Sequence, residues 1–185
     1  MSHNKAQINL SNRFLNATTN QVVFLTVDGV HFRIYEPTPF HRGWYSHKFN
    51  KAALTYEVSI NIRTGDICWT FGDFRAGVSD LQMTRWGLYS ELPPNEKVIA
   101  DKGYSGQPDR FIMTPTEDNH PIARPLKLIM ARHEVISKRI KDWGCMSRVW
   151  RHGWRTHIVA FEAVTQLVQI KMHTGDPFPA PFVNN

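Results

Sequence analysis

Asp28, Asp101 and Glu134 are the residues whose type and setting could do chemistry in this chain. Metal-assisted cleavage of a phosphodiester needs several carboxylates converging on one point. Hard Mg²⁺ takes oxygen ligands, and two such ions about 4 Å apart can stabilise both the attacking and the leaving oxygen. Asp28 and Asp101 each close an apolar run, Val22–Val27 and Lys97–Ala100, and each has a glycine one or two places on, Gly29 and Gly103. That arrangement could bring both acids to one edge of a sheet, where open α/β sheets keep their binding crevices. Glu134 follows on a helical stretch, two turns past Leu126 and one past Met130, on a line that continues to Lys138 and Lys141. Each acid also has an ordinary explanation. Asp28-Gly29 is a favoured hairpin turn, Asp101-Lys102-Gly103 a common loop start, and a lone helix glutamate is usually solvated. Asp80 rivals them as a ligand, but its place just after Ser79 is also what the helix dipole favours in a first turn.

A second signal is basic and aromatic. Between residues 124 and 155 stand Lys127, Arg132, Lys138, Arg139, Lys141, Arg148 and Arg151, with Trp143, Trp150 and Trp154 interleaved. Upstream, His41, Arg42, Trp44, Tyr45, His47 and Lys48 have the same character. Such segments suit phosphate contacts with stacking on bases, and equally suit a solvated face whose tryptophans are core.

The elements that must position these groups follow from pattern. Val22–Val27 and Val30–Tyr35 read as two extended segments around Asp28-Gly29. Leu54–Ile62 alternates, Arg63–Asp66 turns, and Ile67–Phe71 runs back as a hairpin. Gly72–Gly77 is expected as a loop. Ser79-Asp80-Leu81-Gln82 has the capping-box form that opens a helix to about Glu91, which Pro93 and Pro94 end. Lys97–Ala100 is a short strand, Tyr104–Pro121 a long loop, and Arg124–Asp142 and Ile158–Met172 are helices. Residues 1–20 are expected as a short helix or arm, residues 21–175 as one folded domain, and residues 176–185 as a Pro-rich extended tail. The order β-β-β-α-β-α predicts an α/β fold, a mixed sheet with helices on both faces.

Composition agrees. A chain of 185 residues, 42% hydrophobic and 21% charged, can bury one core and is far from a disordered composition. The net charge of +6 leans towards a polyanionic partner. Cys68 and Cys145 form neither a disulfide framework nor a zinc pattern, which fits a reducing compartment. The first residues lack the apolar core of a secretion signal, and no apolar run is long enough to span a bilayer, so a non-secreted protein without a membrane partner is expected.

Five blocks in order resemble the DDE superfamily endonuclease domain of Harbinger-like and IS5-type transposases. They are Val27-Asp28-Gly29-Val30, Tyr45-Ser46-His47-Lys48, Gly77-Val78-Ser79-Asp80, Val98 to Tyr104, and Arg132-His133-Glu134 with Lys138-Arg139-x-Lys141. The resemblance implies an RNase H-like fold with Asp28, Asp101 and Glu134 as catalytic, metal-holding acids and Asp80 nearby in a supporting place. It further implies two Mg²⁺ ions, replaceable by Mn²⁺, and double-stranded DNA as substrate. DNA contacts are expected from His47, Lys48, Lys102, Arg132, Lys138, Arg139, Lys141, Arg148 and Arg151. The activity implied is hydrolytic strand cleavage with strand transfer to follow, in the nucleus of a eukaryote or otherwise in the cytoplasm. Family transposases usually carry a helical DNA-binding region ahead of the first aspartate, whereas 27 residues precede Asp28 here. A fragment, a decayed copy or a domesticated, non-catalytic DNA- or protein-binding domain is therefore the alternative. The resemblance also leaves room for a separate DNA-binding partner protein and for a homodimer.

Overall fold

The computed structural model describes residues 14–16, 21–62, 64–94, 96–107, 109–113 and 123–177. Its centre is a sheet in which β2 (Gln21–Arg33) lies between antiparallel β4 (Lys51–Asn61) and parallel β6 (Glu96–Ala100). Beyond β4 runs antiparallel β5 (Ile67–Arg75), and beyond β6 runs parallel β7 (Phe111–Met113). Two short strands complete the sheet. β1 (Phe14–Asn16) pairs with the start of β2, and β3 (Tyr45–Ser46) pairs with the start of β4. The sheet is open and mixed, as expected, but three expectations change. Asp28-Gly29 is no turn: β2 runs through it unbroken, pairing Asp28 with Val58 and Gly29 with Glu57. β5 continues to Arg75, so much of the expected Gly72–Gly77 loop is strand. Phe111–Met113 is a strand inside the expected long loop; half of that loop lies outside the described residues, as do residues 1–13 and 17–20 of the expected arm and 178–185 of the expected tail.

Helices cover both faces. On one side lie α1 (Asp80–Trp86) and α2 (Leu88–Glu91); on the other lie α3 (Ala123–Lys141), the single turn α4 (Gly144–Ser147) and α5 (His157–Thr174). Ser79 caps α1, its side chain accepting from Gln82 N at 3.3 Å. Strand alternation divides the core between the faces. Val30, Phe32, Tyr56, Val58 and Ile60 pack with Ile136, Ile140, Phe161, Val164 and Val168 of α3 and α5. Leu25, Val27, Cys68 and Trp69 pack with Leu88, Leu92 and Tyr104. A register shift between Val23 and Leu25 turns Val23 to the opposite face, where it meets Ile62, Ile99, Leu126 and Ile129. No described helix is long and apolar enough to cross a membrane.

Candidate active site

The parallel pairing of β2 with β6 aligns Thr26 with Ile99. Continuing that register brings Asp101, the residue just past β6, beside Asp28 in the middle of β2. Asp101 caps a short 3-10 turn over Lys102–Tyr104, its Oδ1 accepting from Gly103 N at 2.7 Å. Asp28 Oδ1 accepts from Gly29 N at 2.8 Å.

Two glycines admit a third acid. A Cβ at Gly29 would strike Asp80 Oδ1, and a Cβ at Gly103 would lie 2.6 Å from Asp80 Oδ2 and 3.0 Å from Asp101 Oδ1. The first residue of α1 therefore projects its carboxylate between β2 and the turn after β6, through space that any side chain at either glycine would fill. Gly29 and Gly103 are needed for this close approach; neither has a positive φ.

The three carboxylates oppose one another's charge. Burial, then the Asp101 charge, push Asp28 up to about 7, with Asp80 adding to the rise and Lys48 working against it. Asp80 is raised to about 6 by burial and by Asp101, again against Lys48. Tyr104 is fully buried behind the site, with no hydrogen-bond partner for its Oη among the described residues, and burial together with Glu57, Asp80, Asp28 and Asp101 holds it in its neutral phenol form.

Glu134 stands on α3, which covers the sheet face opposite α1. His133 anchors this part of α3 to β2, its Nε2 lying 2.6 Å from Thr26 Oγ1, and burial lowers that imidazole to about 3, so it is neutral. Glu134 itself is exposed. Its charge reaches Lys141, two turns along α3; burial and Lys48 lower Lys141, while Glu134 and Asp28 raise it. Lys141 thus lies within reach of both acids. Among the described residues no three His, Cys, Asp or Glu side chains stand close enough to grip one metal ion as placed. The donor chemistry nevertheless fits a hard divalent cation: the groups are oxygen donors, they repel one another, and a glycine cradle keeps the space between them open.

The basic residues separate into groups. Lys48 faces the acids from the turn between β3 and β4, and His47 beside it stacks edge-on against Tyr45. Lys102 and Lys138 are exposed, as are Arg148 and Arg151. Arg132, expected at phosphate, is instead buried with 6% exposure and donates to the Ile62 carbonyl. Its place on the inner face of α3, one residue before His133, commits it to packing. Arg139 is likewise occupied, paired with Asp176 at 3.0 Å and donating to the Asp176 carbonyl at 2.8 Å. Trp154 packs against Trp44 at 5.2 Å and Trp150 against His157 at 5.2 Å, so both serve the core, whereas Trp143 is 39% exposed.

Glu57 was not singled out by sequence reasoning. It sits in an alternating strand where a polar residue reads as solvent-facing, yet it is fully buried beneath α1. Its Oε2 accepts from Trp69 Nε1 at 3.0 Å and its Oε1 from the Thr84 hydroxyl, one turn into α1 from Asp80. Burial raises it to about 7 against those two hydrogen bonds. It ties β4, β5 and α1 together directly under the acid cluster. The only available signal was a single acid in the alternating run Leu54–Ile62, which is otherwise uncharged.

Comparison with known protein families matches residues 27–164, about three quarters of the chain, to the DDE superfamily endonuclease family, and the chain belongs to that family. Neither the curated proteins nor the solved structures compared with it gave a match.

Proposed function

We propose that this chain is the catalytic domain of a metal-dependent DNA endonuclease of transposase type, related to the Harbinger-like and IS5-type enzymes and built on an RNase H-like sheet. One observation carries the reading: Asp101 at the end of β6, Asp28 in mid-β2 and Asp80 at the start of α1 place mutually repelling carboxylates around a glycine-lined opening. Asp28, Asp101 and Glu134 are the residues that would hold two Mg²⁺ or Mn²⁺ ions, with Asp80 close enough to Asp101 to share in the site. Bound ions would supply positive charge at the scissile phosphate and lower the pKa of an attacking water. The protein's own part is positional. Asp28 and Asp101 set the centre on the rigid sheet, Gly29 and Gly103 keep it clear, and the neighbouring cations Lys48 and Lys141 offer positive charge to the phosphate. Water adds to phosphorus and the 3′-oxygen departs as a free hydroxyl, which can then attack a second strand.

The test is nicking of supercoiled plasmid in Mg²⁺ or Mn²⁺. Asp101→Ala should fall to background without a lowered melting temperature, because Asp101 is exposed, supports only a short turn and repels Asp28 and Asp80. Wild-type activity in that variant, or DNA binding by the native chain with no metal-dependent nicking, would overturn the reading; the latter points to a domesticated binding domain.

A further inference from the structure

Cations accumulate along one line leading away from the acid cluster. Lys48 and Lys141 lie within electrostatic reach of each other and of Asp28. Phe49, next to Lys48, is shared by two cations: Lys141 Nζ lies 5.9 Å and the Arg33 guanidinium 5.8 Å from its ring centroid. Arg33 ends β2 and donates to the Ser147 carbonyl at 3.2 Å, which fixes its guanidinium against the end of α4. There an open groove of about 680 Å³ is lined by Arg33, Cys145, Arg148, Trp150, Arg151 and His152. Among the described residues no carboxylate pairs with Arg33, Arg148 or Arg151. Like charges gathered without acids repel one another, and the arrangement is offset most directly by a polyanion. Arg132 and Arg139 take no part, being committed to the fold.

We infer that Lys48, Lys141, Arg33, Arg148 and Arg151 form a continuous track that binds the phosphates of duplex DNA flanking one side of the cleaved bond. This rests on the endonuclease reading and adds the path, its side and its length. Asp28 and Arg33 are five residues apart on one strand, about 17 Å at roughly 3.3 Å per residue. At about 3.4 Å per base pair the groove meets DNA about five base pairs from the reacting phosphate. Phe49, between Lys141 and Arg33, carries the track across the gap by holding both cations on one ring.

Cys145 makes the track directly testable, since it lines the groove and is exposed while Cys68 is buried. The intact chain is treated with a thiol-alkylating reagent in EDTA, with and without a 20-base-pair duplex, and modification is followed by mass spectrometry. Saturating duplex is expected to slow Cys145 alkylation at least fivefold. Arg148→Ala with Arg151→Ala should abolish that protection and lower the slope of log affinity against log salt by about two. A charge-reversed pair, Arg148→Glu with Arg151→Glu, should weaken binding further at the same melting temperature. Unchanged alkylation at saturating duplex, or wild-type salt dependence in both double variants, would overturn the track; so would protection by heparin but not by DNA. Nicking by the native chain without Cys145 protection defeats the track and leaves the endonuclease reading standing. Protection without nicking does the reverse.

Discussion

Asp28 on β2 and Glu57 on β4 lie in the same sheet, one register step apart, since Glu57 faces Gly29. Burial drives both carboxyls to about 7, yet their surroundings differ in kind. Glu57 receives a hydrogen bond on each oxygen, from Trp69 and Thr84, and is sealed beneath α1. Asp28 receives one, from the neighbouring Gly29 backbone, and faces the charges of Asp101 and Asp80. A buried carboxylate supplied with donors serves the fold. One crowded by other carboxylates carries a repulsion that an added cation would relieve. The pKa alone would not separate the two; their partners do.

The largest expected effect breaks this comparison at Asp28. Asp28→Asn should reduce metal-dependent nicking to background while raising the melting temperature of the metal-free protein by roughly 3–6 °C at pH 8, because a repelled buried charge is removed. A melting temperature that falls would show Asp28 to be a structural group like Glu57. Glu57→Ala should do the opposite, lowering stability by about 2–4 kcal/mol in urea titration as the buried Trp69 indole and Thr84 hydroxyl lose their acceptor. Glu57→Gln, which keeps one acceptor oxygen, should recover part of that loss. Gly103→Ala tests the cradle: its Cβ would press on Asp80 and Asp101, so half-maximal activity should need about tenfold more Mg²⁺, with a change in melting temperature under about 2 °C.

The smallest effect concerns pH. Asp28 and Asp80 are raised in the folded chain, so their contribution to stability is fully present below about pH 4 and is lost as pH rises through 6 to 7. The increase in melting temperature on adding Mg²⁺ should therefore be larger at pH 8 than at pH 5, and Asp28→Asn should flatten the difference. An increase independent of pH would mean that the ion binds away from these acids.

The helices were largely legible. Ser79 with Gln82 marked the start of α1, and the spacing of Ile129, Ile136 and Ile140 marked α3, because capping and a one-sided apolar stripe are local properties. Asp28-Gly29 misled for the same reason. Its turn chemistry is real, but β4 pairs with β2 straight through Asp28 and Gly29 and holds the dipeptide extended. Arg132 looked like its exposed neighbours, since burial within a basic helix depends on which turn meets the sheet.

By itself the chain determined its helices, its alternating strands, its basic character and the ordered blocks that mark it as a DDE superfamily member. These depend on short-range propensity, periodicity and residue type. Tertiary structure decided that Asp80 stands with Asp28 and Asp101, that Glu57 lies under them, and that Arg33 joins Arg148 and Arg151 while Arg132 leaves the surface. Each of those depends on strand register and on which helix covers which face, and both are settled by contacts between residues far apart in the chain.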